Sequence, residues 1–216
     1  MMIKHYLKVA FRNLAKYKVQ SIVSILGLAV GFVCFALSTL WIRYEMTYDT
    51  FHEGAERIYL VRAHYAHEPG KISNSTPYPL ADYLQKGNPE IEAMASTSVQ
   101  KVKFRVKDTE KDVVSAAADS VLMNFFNIRV LRGTVNFLKG TNGEIAITEE
   151  FSKRIFGEEE ALGREVEVSG HASKVGAIVS GWSSHSNIPY SILTSARHYT
   201  QWGSANENLF VRIRKG

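Results

Sequence analysis

The sequence predicts an α+β protein: one N-terminal transmembrane helix followed by a two-lobed mixed α/β extracytoplasmic domain. Three observations predict it. Ile22 to Ile42 run for 21 positions without a charged side chain. The remainder alternates strand-like and helix-like segments bounded by caps and turns. The excess of basic over acidic residues lies ahead of the apolar run.

The apolar run comes first. At about 1.5 Å rise per residue, about 20 apolar residues cross a hydrocarbon core of roughly 30 Å, and a helix satisfies its own backbone there. A cleaved signal peptide is the competing reading, because Ala36-Leu37-Ser38 is a small-x-small sequence. Against it, signal cores run about 7 to 15 apolar residues, and this one ends in Trp41 and Tyr44, which suit an interfacial belt. Cys34 is preceded by bulky Val33 where a lipobox needs a small residue. As the sole cysteine it leaves no partner for an intrachain disulfide.

Charge sets the orientation. Residues 1–18 hold Lys4, Lys8, Arg12, Lys16 and Lys18 and no acidic residue, whereas Glu45, Asp49, Glu53 and Glu56 follow the span beside Arg43 and Arg57. By the positive-inside rule the N-terminus is cytoplasmic and the chain beyond about Tyr44 is outside. Of 26 basic and 21 acidic groups, residues 19–216 retain 21 of each. The excess of +5 is therefore a juxtamembrane patch, which argues against a nucleic-acid partner, whose readers carry basic charge on the folded domain.

Four stretches follow from these boundaries: residues 1–18 as a cytoplasmic basic amphipathic helix, 19–44 as the transmembrane helix, 45–216 as the external domain, and about 137–200 within it as a second lobe. In the first, Ile3, Leu7, Ala10, Phe11 and Leu14 share a helical face, with Lys4, Lys8, Arg12 and Lys16 along an adjacent stripe. That geometry suits a helix lying in the inner interface against anionic membrane lipid. A basic stop that only fixes topology is the alternative. In the span, Ile22 and Trp41 mark the two ends, and Gly27 and Gly31 form a GxxxG whose small face admits a second helix. The span carries no intramembrane carboxylate and cannot form a polar path by itself.

Beyond the span, Arg57 to Ala63 reads as a strand and Pro77 to Gln85 as a short helix. Ser98 to Val106 and Val113 to Ala118 read as a hairpin. Asp119 is a candidate N-cap for a helix through Phe126. Glu144 to Thr148 is a strand, Thr148 caps a helix over Glu149 to Phe156, and Gly157 ends it. Arg164 to Val168 pairs with Lys174 to Val179 across Ser169-Gly170-His171-Ala172. Tyr190 to Leu193 and Leu209 to Arg214 are extended, and Gly140 to Gly143 is the lobe boundary. Tyr59, Tyr65, Phe104, Phe125, Phe126 and Phe156 are expected in the core.

Catalytic chemistry finds little support. Ser183, Ser184 and Ser186 flank His185, but sequence adjacency does not give triad geometry and no GxSxG is present. His64 and His67 beside Glu68 fall on opposite faces of a strand, which disfavours a metal. Glu45, Asp49 and Glu53 at helical spacing read as a solvated acidic stripe. No GxxxxGK[ST] occurs, so the chain lacks that route to ATP hydrolysis. The reading is not an enzyme, with no cofactor and no metal.

Several segments carry a family resemblance. Arg12-Asn13-Leu14, Leu26-Gly27-Leu28-Ala29-Val30-Gly31, Tyr48-Asp49-Thr50-Phe51-His52 and Ala55-Glu56-Arg57-Ile58-Tyr59 resemble the start of MacB-type, FtsX-like ABC transporter permeases. Thr76-Pro77-Tyr78-Pro79-Leu80, Asn88-Pro89-Glu90-Ile91-Glu92, Ala118-Asp119-Ser120, Phe125-Phe126, Leu131-Arg132-Gly133, Ile147-Thr148-Glu149-Glu150, Phe156-Gly157 and Leu162-Gly163 continue it in order. The resemblance implies a periplasmic core domain with a porter-like lobe and a smaller inserted lobe, in the bacterial inner membrane. It also implies an ABC ATPase subunit and a second permease copy or homologue as partners, and further spans after this stretch, of which the chain is the N-terminal part. The function so implied is export or extraction of a hydrophobic, peptide or lipid-linked substrate. An anchored sensor or ligand-binding module is the alternative. Ala177 to Ser186 departs from the family pattern by lacking its acidic residue, which puts contacts specific to that loop in doubt.

Overall fold

The computed structural model describes residues 2–66, 70–107, 109–182, 186 and 188–215; the side chains of Met2, Ile3, Lys4, Leu7, Ala10 and Phe11 are not described. The chain divides into two compact units, 1–48 and 49–216.

The first unit is helical. Helix α1 spans Met2–Lys16 and helix α2 spans Lys18–Met46. They are separated at Tyr17, whose φ of −107° and ψ of 57° break the helical path. The break frees carbonyls at the end of α1, and the Ser21 hydroxyl donates to one of them, Leu14 O, at 3.2 Å. Helix α2 is the one described helix long and apolar enough to cross a membrane. It extends past the uncharged run at both ends, and the Thr47 hydroxyl donates to Tyr44 O at 2.9 Å where it stops. Asp49 then adopts a φ of +56°, so Glu45, Asp49 and Glu53 do not share one helical face as their spacing predicts.

The second unit is mixed α/β. A short 3-10 turn at Ala55–Arg57 leads into β1 (Ile58–Leu60), β2 (Ala63–His64), β3 (Ile72–Ser73) and β4 (Ser75–Pro77), then α3 (Pro79–Gly87) and β5 (Ile91–Thr97). Next come β6 (Val99–Val106), β7 (Thr109–Ala118), α4 (Ser120–Phe125), β8 (Val130–Gly133), a 3-10 turn at Val135–Lys139, β9 (Glu144–Thr148) and α5 (Glu149–Phe156). Strands β10 (Glu165–Val168), β11 (His171–Val179), β12 (Ile192–Ser195) and β13 (Ala205–Ile213) complete it. The caps follow side-chain chemistry: Asp119 accepts from Leu122 N at 2.7 Å, and Thr148 Oγ1 accepts from Phe151 N at 3.2 Å.

Two sheets organise these elements. In the four-stranded antiparallel sheet β13 is central, with β5 along one edge and β1 and β4 sharing the other. Period-two alternation sends Leu209 and Val211 of β13 toward Leu80 and Leu84 of α3, and Phe210 into the cluster with Leu122, Phe125 and Phe126 of α4. In the second sheet the order β10-β6-β7-β12-β9-β11 closes through the β10–β11 pairing into a six-stranded barrel, and β8 adds to β11. Val102, Phe104, Val113, Ile145, Ile147, Val166, Val175 and Ile192 cluster with Phe151 of α5, whose ring stands 5.0 Å from Phe104 edge to face. Val175 and Ile178 can both join this core because a bulge between Val175 and Ala177 resets the alternation. The opposite faces of β7, β9 and β12 supply Ala116, Ala146 and Leu193 to the core shared with α4. Hairpin β6–β7 belongs to the barrel, not to the four-stranded sheet.

Two expectations differ from the structure, one strand lies where none was expected, and some of the singled-out residues are not described. Arg57 to Ala63 forms two short strands instead of one. Residues 91–97 form a strand that their composition does not announce. Tyr59 is 58% exposed on the short edge strand β1, where it has no layer above it, and so is not core. His67, Glu68, Ser183, Ser184 and His185 lie outside the described residues.

Candidate functional site

The residues expected from the sequence lie on the first unit. Lys4, Lys8, Arg12 and Lys16 are on α1, the last three with exposed side chains. Lys16 Nζ lies 5.5 Å from the Tyr17 ring. Ile22 and Trp41 are exposed near the two ends of α2, and the Trp41 ring lies 6.3 Å from that of Tyr44. Gly27 and Gly31 sit one turn apart, and no described heavy atom lies within 4 Å of where a Cβ would stand on either.

The second unit holds a constellation that the sequence reading did not assemble. It lies along residues 49–57, the segment by which the chain enters this unit. Ser186 Oγ donates to Asp49 and accepts from Ile188 N at 3.2 Å, so one hydroxyl ties the segment to the loop before β12. The His52 ring packs at 4.8 Å from both Phe126 and Trp182 and at 4.2 Å from Phe51. Burial pushes its pKa below the usual value, partly offset by the Asp49 carboxylate, which favours the neutral ring. Asn127, at φ +53°, donates its side-chain amide to Glu53 at 3.2 Å. A cleft of about 450 Å³ lies here, lined by Glu53, Met123, Asn124, Asn127, Ile128 and Arg129.

The segment ends in a guanidinium pair. Arg57 Nη1 donates to Glu92 and, at 2.9 Å, to Ile213 O. Arg212 donates to Phe125 O, lies 4.4 Å over the Phe125 ring, and comes to 3.9 Å from the same Glu92. Immediately beyond, Ile58 stands opposite Arg212 in the β1–β13 ladder. The segment is thereby fastened to the end of α4, to Trp182 and Ser186, and to the ends of β5 and β13. Partly exposed ion pairs give about 0 to 1 kcal/mol each and aromatic pairs about 0.5 to 1.5. What holds the segment is therefore the number of these contacts and their attachment to several elements at once.

The aromatic members were present in the sequence as Tyr48-Asp49-Thr50-Phe51-His52, but their partners are more than 70 residues away. Arg57 and Glu92 lie in segments that carry the family resemblance, but nothing local pairs them with each other or with Arg212. Among the described residues no three His, Cys, Asp or Glu converge as metal ligands.

Comparison with known proteins fits this architecture. A family model described as the MacB-like periplasmic core domain matches residues 21–216. A search of curated proteins finds no match to the chain. Among solved structures, a domain of a protein assigned as a permease from Porphyromonas gingivalis aligns with a TM-score of 0.63 at 19% identity, over 76% of this chain and 78% of that one. The extracellular domain of the noncanonic ABC-type transporter YknZ from Gram-positive bacteria aligns with a TM-score of 0.54 at 16% identity, over 72% and 82%. The periplasmic region of MacB from Actinobacillus actinomycetemcomitans aligns with a TM-score of 0.51 at 11% identity, over 72% and 73%. At these identities the three structures speak to the fold. The match across residues 21–216, which takes in most of the apolar helix and the whole second unit, places the chain in the family of proteins with a MacB-like periplasmic core domain.

Proposed function

We propose that this chain is the non-catalytic permease part of an ABC transporter in a bacterial inner membrane. Residues 1–18 face the cytoplasm, α2 is a membrane span, and residues 49–216 are periplasmic. In this reading a separate ATPase subunit drives movement of the membrane helices. The external domain converts that movement into export or extraction of a hydrophobic, peptide or lipid-linked substrate. The observation that carries the reading is the family match from residue 21 to residue 216.

The anchored segment supports it. A domain that relays motion must not yield where motion enters, and residues 49–57 are held by Asp49–Ser186, His52 with Phe126 and Trp182, Glu53–Asn127 and Arg57–Glu92. Lys4, Lys8, Arg12 and Lys16 are assigned to anionic headgroups of the inner leaflet. Gly27 and Gly31 are assigned to close packing of a second helix, from the same permease or from a second copy. No cofactor enters this role.

The test uses the native membrane. With Cys34→Ser as background, a single cysteine at exposed Lys111 is labelled in spheroplasts by a membrane-impermeant maleimide, and one at exposed Asn13 is not. The tagged permease, extracted in mild detergent, brings down a P-loop ATPase. Labelling at Asn13 but not at Lys111 refutes the topology. Extraction intact without an ATPase refutes the transporter assignment.

A further inference from the structure

The two sheets of the second unit are joined where strands leave the barrel side by side. Strands β7 and β12 run parallel, Ser195 opposite Ala118, and the chain leaves the barrel after each, toward α4, which packs on β5, and toward β13. The first crosses through Asp119 into α4, and the second through residues 196–204 into β13. A third crossing, β5 to β6, is adjacent: Thr97 Oγ1 donates to Ala117 O at 2.7 Å, and Ala117 N donates to Ser98 O at 2.9 Å. Strand β7 ends here in Ser115-Ala116-Ala117-Ala118, with Ala116 and Ala118 buried in the core.

One ionic cluster spans this crossing. His198 Nε2 lies 3.1 Å from Asp119 Oδ2, and His198 Nδ1 lies 3.1 Å from Glu207 Oε1. The Glu207 side chain is only 7% exposed. Tyr78, just after β4, stacks on the imidazole with centroids 4.0 Å apart and planes 13° apart. Thr76 Oγ1 donates to Glu207 O at 3.1 Å, fixing that stretch of β13. An imidazole donates from both nitrogens only as the cation, so two carboxylates on opposite ring atoms select imidazolium. The neutral ring turns a lone pair toward one carboxylate and leaves it in a poorly solvated site.

We propose that His198 is an ionic latch where the chain crosses between the barrel and the four-stranded sheet, and that its two carboxylate bonds hold the sheets in one relative setting. The charged and titratable groups facing it are Asp119 from the start of α4, Glu207 from β13, and Tyr78 after β4 with Asp82 of α3 beyond it. The phenol of Tyr78 is pushed up by burial and by those carboxylates. The imidazolium is therefore the group whose charge is lost first as pH rises, and the latch opens by deprotonation. The inference rests on the geometry of this domain and not on the transporter reading, so either can fail alone.

The experiment measures the distance between the two sheets in the full chain, held in detergent micelles. With Cys34→Ser as background, spin labels are placed at Lys111 on the barrel and Gln85 on α3, both exposed. The parent protein gives one narrow distance distribution at pH 7. In His198→Gln the population of a second distance rises by about tenfold or more, as expected for loss of charge-assisted bonds. Asp119→Asn retains a helix cap and one carboxylate bond and gives a smaller rise in the same direction. Raising the pH past about 9 broadens the parent distribution but not that of His198→Gln. If His198→Gln does not fold, Asp119→Asn and the pH series decide. An unchanged distribution in a folded variant, or equal broadening of parent and His198→Gln with pH, overturns the latch.

Discussion

Protonation of His198 makes the stability of the second unit depend on alkaline pH, with a sign and size that follow from the cluster. The hydrogen bonds to Asp119 and Glu207 raise its pKa from 6.5 to about 9, against the opposing effect of burial. A group whose pKa is raised by folding contributes its full stabilisation below the unfolded value and loses it as pH climbs through the folded value. The contribution is thus complete below about pH 6.5, declines between there and about 9, and is absent above. At about 1.4 kcal/mol per unit the shift corresponds to an upper bound of roughly 3 kcal/mol, and solvent reaching the 18% exposed side chain lowers this to about 2. Urea unfolding of the full chain in micelles, followed by tryptophan fluorescence from pH 6 to 10, measures it. Other ionisations are subtracted with His198→Gln. The difference between parent and variant shrinks by about 2 kcal/mol across the window. A difference that stays constant with pH, or grows, refutes the imidazolium assignment. Asp119 acts at the other end of the scale. Burial opposes its ionisation, but hydrogen bonds from His198 and Leu122 N hold its carboxyl below the ordinary value, so its contribution is lost as pH falls through that lowered range.

Two further outcomes test the barrel. Phe151→Ala removes a ring 1% exposed that packs edge to face on Phe104, and costs about 3 to 5 kcal/mol in the same urea assay. A loss under about 1 kcal/mol means that α5 does not plug the barrel. Gly133→Ala places a Cβ 2.3 Å from Gly176 O at a φ of +86°, and costs more than about 2 kcal/mol with loss of amide protection along β8. Gly203→Ala, with no heavy atom within 4 Å, is the control and changes stability by less than about 0.5 kcal/mol.

Local chemistry accounts for what could be read in advance. Helix Glu149–Phe156 was legible at both ends because Thr148 supplies the cap oxygen and Gly157 the φ of +60° that ends it. The turn at Ser169-Gly170 was legible for the same kind of reason, since both residues take positive φ between β10 and β11. Strand Ile91–Thr97 was not. Its Ala, Met and Ser residues have weak strand preference, and it is extended because β13 pairs with it from Asn208 to Ile213. The parallel pairings β7–β12 and β9–β11 were equally out of reach, since the partners are separated by 25 residues or more and no local pattern encodes them. His198 is an isolated histidine in a loop, and its two carboxylates come from positions 119 and 207.

The sequence by itself determined that Ile22 to Ile42 form a helix long and apolar enough to cross a membrane, the basic N-terminal patch, the caps and turns, and the family. These depend on composition, on charge order and on residues within one turn of each other, where the chain carries its own explanation. Tertiary structure decided the closure of the barrel, the fastening of residues 49–57 and the His198 cluster. Each of these brings together groups tens to more than a hundred residues apart, and the hydrogen bonds, stacking and charge neutralisation that stabilise them exist only once both sheets are formed.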